Sequence, residues 1–509
     1  DERVVVGAPP PPRRLRPRLA PLAHTRSVGE FGDFACPCVW RSPRATRERR
    51  ACEEHAVTDD RRRTTRGPRA QKAPRAARIT ARGAEGRERG LVEQAGPSWL
   101  TLALDAIQRH RATSSPLDKT LAELCRARRV GARTRRAASD ALFAWARQRT
   151  VVEREIDEAL AREGGVPPRR RQRDHAGVLL AIVWSELSLD DATDGALPDI
   201  LTALVDAARA GELSAPPAEL PAWLTARLVA QHGAEGARAL VDALAARAPV
   251  TLALDPRVVD EERALDALRA LAVDATPSPH VVGSLRSPGR VPLTKLDAPL
   301  RAAVWPMDDG SQLVALALDA QPGERVLDLC AGGGGKTRFL SSRGAEVIAL
   351  DVDKKRIAAT RARVPGLAAV RADGRAPPFS KGLFDRVLVD APCSGTGTLR
   401  RAPDLAARID DAFVAHTRAI AKELLVAALD LVRPGGLVVY ATCSLLDEEN
   451  GAVVDEVLAE CAHARAAPLR GLMRARSSLV RDRASDARAV FLPTTHGTDG
   501  FFVAGLTRA

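Results

Sequence analysis

Two cysteines stand where chemistry is expected. Cys393 lies in Asp390-Ala-Pro-Cys393-Ser-Gly-Thr-Gly, directly after the strand-like run Phe384 to Val389, and Cys443 lies in Ala441-Thr-Cys443-Ser, after Leu437 to Tyr440. A thiolate is a strong nucleophile, and a second thiol beside it can take or return a proton. A buried cysteine is more often a small hydrophobe, and either one alone reads that way. Two of them in polar turns at successive strand ends read as a reacting pair on a common rim.

The rim belongs to a glycine loop. Arg325 to Leu329 has the pattern of a buried strand and runs into Cys330, Ala331, Gly332, Gly333, Gly334, Gly335, Lys336 and Thr337, followed by a helix. Glycines let the backbone approach a ligand, and a helix N-terminus offers free N–H groups. S-adenosylmethionine and nucleotides both suit such a site. Gly335-Lys336-Thr337 resembles the end of a P-loop, and Arg386 to Asp390 resembles its second strand. The P-loop, however, opens on a glycine five residues before Gly335, where this chain has Cys330. A second strand, Glu346 to Leu350, ends in Asp351, 19 residues after Gly332, the place of a ribose-binding carboxylate. A third, near Ala368 to Arg371, delivers Asp373, placed for the adenine edge. Each aspartate alone reads as a helix cap. Three at successive strand ends, counting Asp390, read as a cofactor site.

Methyl transfer to C5 of cytosine matches this set. C5 is a poor nucleophile until a thiolate adds to C6, and afterwards a base must remove the C5 proton. Asp390 is placed for the N3/N4 edge of the base, and Lys336 for positive charge near the thiols.

The elements that position these residues form a multidomain chain, an all-α domain followed by an α/β Rossmann-like domain with a small α/β lead-in. From Pro322 onward strands and helices alternate, which predicts a mainly parallel sheet with its site at the strand carboxyl ends. The catalytic domain is expected over 301–509. The lead-in, 216–300, is expected to hold a strand at Val250 to Leu254, a helix at Asp260 to Leu271 and a strand at His280 to Leu285. Over 96–215, apolar residues such as Leu121, Leu124, Ala138, Leu142 and Trp145 fall at helical spacing, with breaks at Gly164 to Pro168 and Ser214 to Pro217. Arg126, Arg128, Arg129, Arg133, Arg135 and Arg136 crowd one connection and read as an RNA contact or as a solvated face. Residues 1–95, rich in Arg and Pro, are expected to be disordered. Because the chain begins at Asp1 without methionine, this leader is also open to being an artefact of an extended reading frame. Within it Cys36, Cys38, Cys52 and His55 do not have zinc-site spacing, and no metal is expected.

Bulk composition narrows the class. The 509 residues carry a net charge of +13, but the first 100 hold 22 basic against 12 acidic residues, so the remainder is nearly balanced. No apolar run approaches the roughly 18 residues of a membrane span. Eight scattered cysteines point to a reducing compartment, the cytoplasm.

Taken together, Val326-Leu-Asp-Leu-Cys330, Gly334-Gly-Lys-Thr337, Asp373-Gly-Arg375, Asp390-Ala-Pro-Cys-Ser394, Arg400-Arg401, Pro403-Asp404, Pro434-Gly-Gly436, Tyr440-Ala-Thr-Cys-Ser444 and Glu448-Glu-Asn450 resemble one family. It comprises the bacterial 16S rRNA cytosine-C5 methyltransferases of the Sun/Fmu (RsmB-like) type, within the NOL1/NOP2/Sun family. Asp308-Asp-Gly-Ser-Gln312 and His496-Gly-Thr-Asp-Gly-Phe-Phe502 add to the likeness, which spans about residues 220 to 509. The resemblance implies a class I methyltransferase domain that binds S-adenosylmethionine, 16S rRNA as substrate, Cys443 as nucleophile and Cys393 as the residue assisting release. It also implies a NusB-like RNA-binding domain over the preceding helices, and a monomer without metal or membrane partner. Gly332-Gly333 replaces the family's usual Ala-Pro, and Leu252-Ala-Leu-Asp255 lacks its Arg-x-Asn, so Ala253 is expected to weaken a contact to RNA or to the core. Other readings are a tRNA cytosine-C5 methyltransferase, a P-loop NTPase and a catalytically inactive RNA-binding protein.

Overall fold

The computed structural model describes residues 98–509 apart from 164–166, 188 and 190–194. The leader and its Cys36, Cys38, Cys52 and His55 lie outside the described residues. The chain opens on five helices, α1 (Trp99–Thr113), α2 (Leu117–Ala127), α3 (Ala132–Glu163), α4 (Arg170–Trp184) and α5 (Asp199–Arg209). Ser98 caps α1 by accepting from the Thr101 amide at 3.1 Å. Leu100, Leu104 and Ile107 then fall on one face and are buried with Leu142, Trp145 and Leu180 in a single core. Gly177 lets α4 close on that core, since a Cβ there would lie 2.8 Å from Val152.

Helix α6 (Ala222–Ala245) is two segments joined at Gly233, whose φ of 71° breaks the helical run. Its apolar face does not serve the five-helix core. Leu224, Leu228, Leu240 and Leu244 pack on Leu399, Leu405, Ile409 and Leu446 of the catalytic domain.

Next comes a four-stranded antiparallel sheet. It contains β1 (Val250–Leu254), β2 (Thr276–Pro277), β3 (Ser284–Ser287) and β4 (Val304–Pro306) in the order β2-β3-β1-β4, with α7 (Glu261–Arg269) and α8 (Ala298–Ala303). The strand expected at His280 to Leu285 begins only at Ser284. Gly283, with φ of 75°, makes residues before it a turn rather than an extended run. Ala253 is buried in β1 opposite Trp305.

The catalytic domain begins with α9 (Asp309–Ala317) and β5 (Arg325–Asp328), then α10 (Gly335–Ser341), β6 (Glu346–Asp351), α11 (Lys354–Arg363), β7 (Ala368–Arg371) and β8 (Phe384–Asp390). It continues through α12 (Asp411–Leu431), β9 (Val432–Thr442), α13 (Gly451–Glu460), β10 (Ala464–Ala466), β11 (Arg488–Phe491) and β12 (Phe501–Arg508). The sheet runs β10-β12-β9-β8-β5-β6-β7, with β11 on β12. Strands β5 to β9 pair in parallel. The antiparallel β12 joins the outer side of β9, Phe502 facing Thr442. Side-chain alternation splits the core between the two faces: Val326, Leu388 and Val439 face α9, while Leu327, Val387 and Val438 face α12. Chain order reverses between β5 and β8, the crevice where such sheets hold ligands.

Candidate active site

Strands β8 and β9 are parallel neighbours, with Asp390 paired to Ala441, so the turns that follow them are side by side. The Sγ atoms of Cys393 and Cys443 lie 3.5 Å apart. Cys393 is buried and Cys443 half-buried. The Cys443 carbonyl accepts from the Gly397 amide at 2.9 Å, which closes the loop after Cys393 over the second cysteine. Its hydrogen bond with Cys443, together with burial, pushes the Cys393 thiol well above the usual cysteine range.

Lys336, in the first turn of α10, reaches across the crevice and donates to Asp390 at 2.7 Å. Its ammonium lies 5.3 Å from the Phe501 ring centroid. Burial lowers the ammonium, but the charge and hydrogen bond of Asp390 outweigh it, aided by Cys443, and Lys336 is held above its ordinary value. A charged lysine thus stands between the cofactor loop and the two thiols.

The loop is built around Asp351. One carboxylate oxygen accepts from the Gly332 amide at 2.9 Å and the other from the Asp353 amide at 2.8 Å. Burial pushes the carboxyl up. Asp351 therefore shapes the loop that a ligand meets, and each oxygen keeps a second lone pair for that ligand. Gly332 and Gly334 take φ of 56° and 80°. A Cβ on Gly334 would meet Thr360 at 2.8 Å, whereas a Cβ on Gly335 would meet nothing within 4 Å, so the loop is packed on one side and open on the other. At Gly333 the Arg363 guanidinium occupies the space of a side chain and donates to the Gly333 carbonyl. Cys330 is half-buried beneath the loop, and desolvation pushes its thiol up. Ala331 is tied to β6 through the Leu350 carbonyl. Asp373 is gripped by Arg375 at 2.7 Å, which holds its carboxyl below the usual range. The open glycine face, the Asp351 carboxylate and the following helix N-terminus fit an adenosyl ligand bearing a carboxylate.

Several residues with no role assigned from sequence hold this site together. The fully buried Glu449 accepts from the Ser394 amide at 2.8 Å, from the Ser394 hydroxyl at 2.5 Å and from Thr417 at 2.6 Å. It thereby anchors the turn carrying Cys393. Asn450 bonds Thr442 and the Ser444 carbonyl, on either side of Cys443. Arg400 and Arg401 each donate to Asp499 at 2.6 Å, and Arg401 also to Asp308 at 2.7 Å. Three motif segments distant in sequence thus form one ionic cluster. Asp309 ties the small sheet to the domain by accepting from Ser278, Ser284 and Arg286. Only the segments' recurrence as motifs could have signalled them.

An α/β sheet with a glycine loop after its first strand, acidic residues at the next strand ends and open space beside the loop defines an S-adenosylmethionine-dependent methyltransferase. The family model for 16S rRNA methyltransferase RsmB/F matches residues 315–507, and that for the ferredoxin-like domain of RsmF/B-like methyltransferases matches residues 220–293. A Mycobacterium tuberculosis (strain CDC 1551 / Oshkosh) protein, MT1451, whose name carries only the general word methyltransferase, is 35% identical over 370 residues, 67% of this chain and 78% of that one. The ribosomal RNA small subunit methyltransferase B of Xylella fastidiosa (strain Temecula1 / ATCC 700964) is 35% identical over 304 residues, 57% of this chain and 67% of that one. The crystal structure of PH0851 shares the fold at a TM-score of 0.62 and 22% identity, over 81% of this chain and 98% of that one. The chain belongs to the RsmB/F family of methyltransferases, and S-adenosylmethionine is its methyl donor.

Proposed function

We propose that the protein forms 5-methylcytosine in 16S rRNA through a covalent adduct between Cys443 and C6 of the base. The 3.5 Å approach of the Cys393 and Cys443 sulfurs at the neighbouring ends of β8 and β9 carries this reading. Relatives named ribosomal RNA small subunit methyltransferase B support the substrate. The five-helix region is read as a NusB-like RNA-binding domain, and the enzyme as a cytoplasmic monomer working without metal.

The residues divide the work as follows. Asp390, held by Lys336, faces the N3/N4 edge of the cytosine; a proton passed from the Lys336 ammonium through Asp390 to N3 meets the charge that builds on the ring as the thiolate adds, and it returns by the same path when the thiolate leaves. Cys443 adds to C6 as a thiolate, and the electron pair of the C5–C6 double bond moves to C5. Bound S-adenosylmethionine supplies the electrophilic methyl group that C5 takes up. Cys393, once its proton has left to solvent, removes the C5 proton; the electron pair re-forms the double bond, and the C6–S bond breaks to return Cys443 as a thiolate.

Transfer of labelled methyl to unmodified 16S rRNA and to unmodified tRNA, followed by mapping of the product base, tests the assignment. Label at C5 of a cytosine in rRNA is the expected result. Label confined to tRNA assigns the same chemistry to the other substrate, and label on neither RNA overturns the reading.

A further inference from the structure

Between the five-helix region and the catalytic domain lies a cavity of about 300 Å³, large enough to receive part of a nucleotide. Its apolar wall includes Trp145, Leu220, Val241 and Leu244, and Leu399 and Pro403 close it from the catalytic side. These last two are six and ten residues beyond Cys393.

The charged residues around the cavity are matched, with one exception. Glu153 pairs with Arg149 at 3.0 Å and with Arg111 at 2.7 Å. Glu219 pairs with Arg154, and Asp404 with Arg408 at 3.2 Å. His110 bonds the Ser115 carbonyl at 2.7 Å. Arg147 makes no ion pair among the described residues, and its Nε is buried without a hydrogen-bond partner. A half-buried guanidinium in that state leaves donors unsatisfied, which is costly unless a ligand completes them.

Arg147 also has company. Asp140 lies two helical turns earlier on α3, on the same face. One oxygen of Asp140 lies 2.5 Å from Arg290, which follows β3, and 3.8 Å from Arg247, just beyond α6. Two guanidinium groups from different segments thus share a single carboxylate, and Arg147 stands beside them without an ion pair of its own. Burial and the neighbouring Arg247 disfavour the charge on Arg147, and Asp140 only partly offsets them. An added anion with several acceptor oxygens, such as a phosphodiester, would relieve this crowding of positive charge. Arg401 donates to the Pro249 carbonyl at 3.2 Å, so the Arg247 segment is tied to the loop that follows Cys393.

We propose that Arg147, Arg247 and Arg290 bind one backbone phosphate of the RNA substrate at this junction, and that the cavity beside Arg147 receives the adjoining nucleotide. The geometry of a guanidinium cluster suits phosphate oxygens, and the apolar wall suits a base face. In the arginine-rich run at the α2–α3 connection, Arg128 is already paired with Asp105 at 2.6 Å. This inference rests on the RNA-methyltransferase reading above.

The test uses the full chain and in-vitro transcribed 16S rRNA, with affinity measured by filter binding across a salt series and methyl transfer measured in parallel. Arg147→Ala combined with Arg290→Ala is expected to weaken binding about tenfold and to make the slope of log affinity on log salt shallower by roughly one. Asp140→Asn removes the competing carboxylate and is expected to tighten binding a few-fold, an effect that loss of fold cannot produce. Unchanged affinity and slope in the double variant, with the wild type binding and methylating rRNA, would overturn the phosphate site and leave the function standing. Weaker binding at an unchanged slope, or weakened binding by Asp140→Asn, would assign the cluster a structural role instead. A wild-type protein that neither binds nor methylates rRNA would remove the reading on which the site rests.

Discussion

The Sγ atoms of Cys393 and Cys443 sit 3.5 Å apart, close enough to share a proton and too far for a disulfide, whose sulfurs are about 2 Å apart. The two thiols differ in setting. Cys393 lies beneath its turn, and Cys443 is the more exposed to the crevice. Cys443→Ala is accordingly expected to abolish methyl transfer with no covalent RNA complex on a denaturing gel. Cys393→Ala is expected to form the complex and to release it at least tenfold more slowly, the usual scale for loss of a positioned base. A complex that appears only in the Cys443 variant would exchange the two roles.

Release is expected to depend on pH in a direction set by Cys393. In the adduct Cys443 is an uncharged thioether, but burial still holds the Cys393 thiol above the usual cysteine range, and a thiol cannot serve as a base. The reactive fraction therefore grows about tenfold per pH unit below the raised value. Adduct decay followed in single-turnover reactions between about pH 6 and 9 is expected to accelerate steadily. A flat profile would assign the C5 proton to a different base.

What was legible in the sequence follows the range of the interactions. Apolar runs such as Val387 to Val389 and Val438 to Tyr440 marked strands because burial is written locally, and the residues just after them marked the site. The antiparallel β12, which brings Phe501 to Lys336, had no local signal of its place beside β9. The partners of Arg401 were equally hidden, since Asp308 and Asp499 are 93 and 98 residues away. Asp351 was read for a ligand from its strand-end position. Its bond to the Gly332 amide depends on how the loop folds back, which spacing alone does not express.

Glu449 offers a test of how firmly the Cys393 turn must be held. Glu449→Ala leaves the Ser394 amide, the Ser394 hydroxyl and Thr417 without their acceptor in a buried place. The expected loss of stability is about 3 kcal/mol, read from denaturant unfolding, with slower adduct release. Its neighbour Glu448 pairs with Arg227 at 2.6 Å near the surface, and Glu448→Ala is expected to cost under about 1 kcal/mol. Equal effects of the two substitutions would contradict the anchoring role.

Asp328 lies at the end of β5, with one oxygen accepting from Thr337 at 2.6 Å and the other buried without a partner. Burial is the main cause that pushes its carboxyl from 3.8 up to about 7, the Thr337 bond opposing it only in part. The folded state then holds this proton more tightly than the unfolded chain. The associated stability is complete below about pH 4, declines as pH rises, and is lost once pH passes about 7. Asp328→Asn keeps an acceptor for Thr337 and carries no titrating proton. The stability of this variant relative to the wild type is expected to increase with pH across that window, by at most about 1.4 kcal/mol per unit, and to level off above it. Denaturant unfolding of both proteins at about pH 5, 6, 7 and 8 measures the difference. A difference that stays constant over this series would mean that Asp328 is ionised throughout and that its buried oxygen finds compensation elsewhere.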